Sequence, residues 1–117
     1  MIRLLRSALI AGFVAASCAG AAEAHAHLLA SNPAKDAAVS APTTIHLEFS
    51  EGLEPKSSTA TLMTMAGDDV PVTATVKGKV IDATPQQALA PGAYMVMWTI
   101  VSTDGHKMTG DYNFTVR

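Results

Sequence analysis

Between residues 43 and 50 the chain reads TTIHLEFS, with Thr43, Ile45, Leu47 and Phe49 on one parity and Thr44, His46, Glu48 and Ser50 on the other. This period of two is that of a strand with one buried and one wet face. Similar short segments recur along the chain. HLLAS runs into Asn32-Pro33, and STATLMTM ends at Gly67-Asp68-Asp69. VPVTATV and KVIDAT flank Lys77-Gly78, AYMVMWTIVS follows the turn signal Pro91-Gly92, and GDYNFTV closes the chain. In the longest segment Tyr94, Val96, Trp98 and Ile100 share one face, and Trp98 with its aliphatic neighbours is read as core. Roughly seven short strands at this spacing, with little helical periodicity, predict an all-β fold, an antiparallel immunoglobulin-like Greek-key β-sandwich.

The first residues follow another pattern. Arg3 and Arg6 precede an apolar run from Ala8 to Ala16, and Ala22-Glu23-Ala24 places small residues where a signal peptidase cuts. Residues 1–24 are therefore read as a secretion signal and residues 25–117 as one domain. A cut after Ala24 leaves His25 first, and a cut after Ala26 leaves His27 first. Removing the signal also removes Cys18, the one cysteine, so no disulfide is expected. The precursor carries a net charge of −2, and the domain alone has six basic against nine acidic residues. That balance, without any basic cluster, argues against nucleic acid or an anionic membrane surface as partner. No second apolar stretch is long enough to span a bilayer, so a soluble domain without direct membrane anchoring is expected.

Candidate chemistry lies in STDGHKMTG, after the longest segment. Asp104 and His106 are two residues apart, a spacing that in extended backbone puts both side chains on one face about 7 Å apart. Such side chains can converge on a metal with bonds near 2 Å. Alone, the Asp-Gly-His triplet is weak evidence, since a turn carrying a solvated histidine explains it better. A histidine at a new N-terminus adds weight, because it offers its α-amine and ring Nδ1 as one chelating pair. The amine, with a reference pKa of about 7.7–8, gives up its proton to a metal readily at neutral pH. His25, Asp104 and His106 would together supply three nitrogens and one oxygen, a set that suits Cu(II) best, although zinc can use the same ligands.

HAHLLASNPA, IHLEFSEGLEP, PGAYMVMWTIVSTDGHKMTG and the closing FTV resemble the CopC family of periplasmic copper-resistance proteins, in the same order and over nearly all of residues 25–117. The resemblance implies a periplasmic location and a role as copper carrier or buffer rather than enzyme. It also implies a mature chain beginning at His25, and a Cu(II) site built from His25, Asp104 and His106, with Glu51 of the Phe-Ser-Glu segment joining in some members. Family members often work beside, or are fused to, a CopD-type inner-membrane copper permease. As this chain ends at Arg117 without a membrane segment, such a partner is expected to be a separate polypeptide and the protein itself a monomer.

Several residues are read more plainly. Glu51 extends the core-facing parity of Ile45, Leu47 and Phe49, so the strand must end before it, because an unpaired buried carboxylate is too costly. His46 is read as surface, and His27 as facing solvent although it could reach the same metal. Some family members carry a Met-rich loop for Cu(I), whereas here that region offers Met63 and Met65, read as strand packing. The rival reading is a histidine-brace copper enzyme, whose N-terminal histidine also chelates copper.

Overall fold

The structure is a computed structural model that describes residues 26–117. Nine strands occur among the described residues: β1 (Leu28–Asn32), β2 (Ala38–Val39), β3 (Ile45–Phe49), β4 (Thr59–Thr64), β5 (Asp69–Val70), β6 (Val72–Lys77), β7 (Val80–Pro85), β8 (Gly92–Val101) and β9 (Lys107–Val116). They form two sheets, ordered β1-β3-β7-β6 and β2-β9-β8-β4-β5. Seven strands of five residues or more match the expected number, and β2 and β5 add two residues each. Two-residue strands carry no alternation, so the sequence pattern could not announce them. One pairing is parallel, β2 against the end of β9; every other strand pair is antiparallel.

The alternation in TTIHLEFS is realised from Ile45 onward. Ile45, Leu47 and Phe49 are fully buried, while His46 and Glu48 face solvent. Opposite them, Tyr94, Val96 and Ile100 of β8 and Tyr112, Phe114 and Val116 of β9 line the inner face of the second sheet. Two aromatic contacts join the layers and strands: Phe49 meets Trp98 edge-on at 5.8 Å, and Tyr94 stacks on Phe114 at 5.6 Å. Trp98 is only partly buried, at the margin of the core rather than its centre. Its indole covers Gly110, its cross-strand partner, so closely that a Cβ there would lie 2.6 Å from Cε2. The Tyr112 hydroxyl donates to the Pro33 carbonyl at 2.7 Å and so ties β9 to the loop after β1 in the other sheet.

Two expectations need correction. The last strand begins at Lys107, three residues before the GDYNFTV segment, because the chain turns back within residues 102–106 and pairs Val101 with Lys107 immediately. Met65 lies one residue beyond β4 and is 51% exposed, so it is not strand packing, whereas Met63 is a half-buried strand residue on the outer face of β4. Met63 lies directly across from Met95 of β8 on that outer face. Between the VPVTATV and KVIDAT segments the chain forms a hairpin. Lys77 pairs with Val80 across Gly78 and Lys79, and Gly78 takes a φ of 59° that other residues rarely adopt.

Candidate metal centre

One end of the sandwich collects four chain segments: residues 26–27, the bend at 50–54, the β6–β7 turn and the β8–β9 loop. Main-chain hydrogen bonds join them. Ser50 N–H donates to the His27 carbonyl at 2.9 Å, and Leu53 N–H to that of Gly78 at 2.9 Å. Thr103 N–H donates to Gly52 at 2.9 Å and Glu54 N–H to Val101 at 2.8 Å. Each of these satisfies a donor that leaves the regular ladders, so the end is a braced surface rather than a set of independent loops.

Within the β8–β9 loop, Asp104 and His106 meet side chain to side chain. His106 Nδ1 lies 3.1 Å from Asp104 Oδ2, and both side chains are about half exposed. Their approach comes from a turn, not from the extended backbone expected. Gly105 takes a φ of 92°, its N–H donates to the Ser102 carbonyl at 2.8 Å, and Ser102 N–H donates to the His106 carbonyl at 2.9 Å. A left-handed residue between the two side chains reverses the chain and folds one towards the other, which only glycine does without strain.

Ser102 is the residue that sequence reasoning missed. It is 1% exposed, and its hydroxyl donates to Asp104 Oδ1 in a short hydrogen bond. That carboxylate oxygen also accepts the His106 N–H at 3.3 Å. The Ser102 hydrogen bond, followed by the contact with the His106 side chain, lowers the Asp104 pKa to about 2. Asp104 is therefore an anion with a fixed rotamer at any neutral pH, a ready acceptor for a cation. The signal for Ser102 was its place at the end of an apolar alternation, where a small polar residue is free to turn inward.

Glu51 follows the end of β3, is exposed, and sits between Ser50, tied to His27, and Gly52, tied to Thr103. The expectation that the strand stops before it is met. Among the described residues no three His, Cys, Asp or Glu side chains are gathered into a metal-holding group. Asp104 and His106 are brought together, Glu51 is placed at the same end without joining them, and His25 lies outside the described residues. His27 is exposed, but its ring is held by the Ser50 hydroxyl. His46 lies on the outer face of the first sheet, as expected, where Nδ1 meets Asp82 at 2.7 Å.

The fold and this end together describe a small two-sheet β-sandwich that presents nitrogen and oxygen side chains from a loop at one end. Residues 28–117 match the CopC domain model. The chain is 40% identical over 114 residues to copper resistance protein C of Xanthomonas campestris pv. juglandis, covering 89% of this chain and 90% of that one. Its structure resembles that of PcoC, a methionine-rich copper resistance protein from Escherichia coli, with a TM-score of 0.72 and 38% identity over 80% of this chain and all of that one. It also resembles CopC from Methylosinus trichosporium OB3b, with a TM-score of 0.74 and 30% identity, covering 79% of this chain and 93% of the other. The protein belongs to the CopC family of copper-resistance proteins.

Proposed function

We propose that this protein binds copper in the periplasm as a carrier or buffer in copper resistance, and that it holds the ion as Cu(II) at the braced end of the sandwich. The ligands in this reading are His25, through its amine and ring, with Asp104 and His106; Glu51 is the additional carboxylate within the same neighbourhood. Nitrogen and carboxylate donors favour Cu(II) over the softer Cu(I). The observation that carries the reading is the Asp104–His106 pair, preset by Ser102 at the end to which residues 26 and 27 are also tied. Ala26 supports His25 as the first residue of the mature chain. It is 1% exposed and belongs to the core cluster, so a cut after Ala26 would remove a core side chain. The protein acts as a monomer and passes copper to, or takes it from, a separate CopD-type inner-membrane permease. The rival reading as a histidine-brace enzyme finds no support among relatives that carry copper-resistance names.

The deciding experiment places one extra residue before His25. This turns the amine into an amide, which is not a basic nitrogen at neutral pH, while every side chain stays. The expected outcome is a substantial loss of Cu(II) affinity in competition with a chromogenic chelator, equalled by His25→Ala, Asp104→Ala and His106→Ala but not by His46→Ala. Unchanged affinity in the extended protein would remove the free terminus from the site.

A further inference from the structure

Two nitrogens of His27 face a single atom. Its main-chain N–H donates to Ser50 Oγ at 3.0 Å, and its ring Nδ1 lies 3.2 Å from the same oxygen. Together they form one bite of a chelate that Cu(II) takes readily in peptides. Where the third residue of a chain is histidine, four nitrogens can close around the ion in a square plane: the terminal amine, the amides of residues two and three, and the histidine Nδ1. Four N–Cu bonds form as water ligands leave the ion; the two amide protons, and the amine's where it is protonated, pass to the buffer, with no change of oxidation state. On the reading given above, in which the mature chain begins at His25, His27 is that third residue. The start of the chain therefore holds a potential rival to the site it serves, one that needs neither Asp104 nor His106.

We propose that Ser50 keeps this rival closed and is a specificity-determining residue for the copper site. Its hydroxyl faces both the His27 amide and the ring Nδ1, on the side from which a chelated metal would have to approach them. The oxygen accepts the amide proton and has its own proton to give to Nδ1, so both nitrogens are engaged by one atom. Two contacts reinforce the plug. Ser50 N–H holds the His27 carbonyl at 2.9 Å, and the side chain of Ala26, whose amide would supply another of the four nitrogens, is buried in the core. Wrapping the terminus around copper would break the two hydrogen bonds that the His27 amide and ring make with the Ser50 hydroxyl and disturb that packing. With the wrap closed, the amine and ring of the first residue are left for the loop that carries Asp104 and His106.

The test uses the full mature chain, its first residue fixed by mass spectrometry, loaded with one equivalent of Cu(II) at a single neutral pH. Electron paramagnetic resonance and visible absorption are compared in the unaltered protein, Ser50→Ala, Ser50→Thr and the Ser50→Ala/His27→Ala double variant. In Ser50→Ala a major fraction of the copper is expected to shift to a four-nitrogen spectrum with a shorter-wavelength visible band, insensitive to Asp104→Ala. Ser50→Thr, which keeps a hydroxyl, should retain the original spectrum, and the double variant should lose the four-nitrogen species. Urea unfolding of the unaltered copper protein supplies a check that needs no Ser50 variant: the four-nitrogen spectrum should appear with unfolding, and not in His27→Ala. The plug is overturned if Ser50→Ala keeps an Asp104-dependent spectrum, or if the unfolded chain shows no four-nitrogen species. Should the unaltered folded protein already give a four-nitrogen spectrum indifferent to Asp104 and His106, the site reading itself falls, a result distinct from either.

Discussion

At the scale of single residues, the candidate site rests on a hydroxyl that would not itself bind metal. Ser102 is buried between the end of β8 and the turn, and its hydrogen bond fixes the Asp104 carboxylate and keeps it ionised to about pH 2. The folded value is below the ordinary 3.8, so ionised Asp104 favours the folded loop at higher pH. That contribution disappears as pH falls from about 3.8 towards 2. Ser102→Ala removes the largest cause of the depression. In the metal-free protein, the Asp104 midpoint followed through its carboxyl carbon by nuclear magnetic resonance is expected to rise from about 2 towards 3.8. An unmoved midpoint would show that the His106 contact alone sets it. Sequence reading singled out Asp104 and His106 as candidates because their types and spacing are compatible with ligands. It passed over Ser102, whose role rests on being buried, which residue type does not reveal.

At the scale of strands, alternation located every element long enough to have a period. It failed where length or a neighbour decided the outcome. β2 and β5 exist because a partner edge was available, and Lys107–Thr109 joined β9 because the turn at Gly105 returned them opposite Thr99–Val101. Met63 and Met65 both look like packing in the sequence, yet only Met63 lies in β4, half-buried opposite Met95, while Met65 stands past the strand end and is exposed. The Trp98–Gly110 pair is another relation between strands rather than a property of either. The indole lies over β9 because position 110 has no side chain. Gly110→Ala is therefore expected to displace the ring from its contacts with Phe49 and Tyr112 and to cost about 1–3 kcal/mol. Urea denaturation with tryptophan fluorescence measures both the loss and the ring's new exposure. Unchanged stability with an unchanged emission maximum would mean the β8–β9 ladder yields instead of the ring.

At the scale of the whole molecule, core and candidate site are separate. Ile45, Leu47, Phe49, Ile81, Ile100 and Phe114 are each at most 1% exposed and form the interior between the two sheets. Among the described residues, no proposed ligand belongs to that cluster and no buried side-chain polar atom lacks a hydrogen-bond partner. A metal is thus not needed to complete the interior or to neutralise a buried charge, unlike small domains that are unfolded without their ion. The metal-free protein is expected to melt cooperatively and to keep its strand circular dichroism after chelator treatment. Copper then acts by mass action on the native state. At a free concentration one hundred times Kd it adds about 2.7 kcal/mol, which for a domain of this size raises the midpoint on the order of 10–20 °C. Removing both loop ligands tests the separation directly. The Asp104→Ala/His106→Ala protein should lose most of the copper-dependent rise while its metal-free melt stays cooperative, its midpoint lowered only by the lost Asp104 hydrogen bonds. A broad, non-cooperative melt without metal would instead show that this end of the sandwich needs its ion to fold.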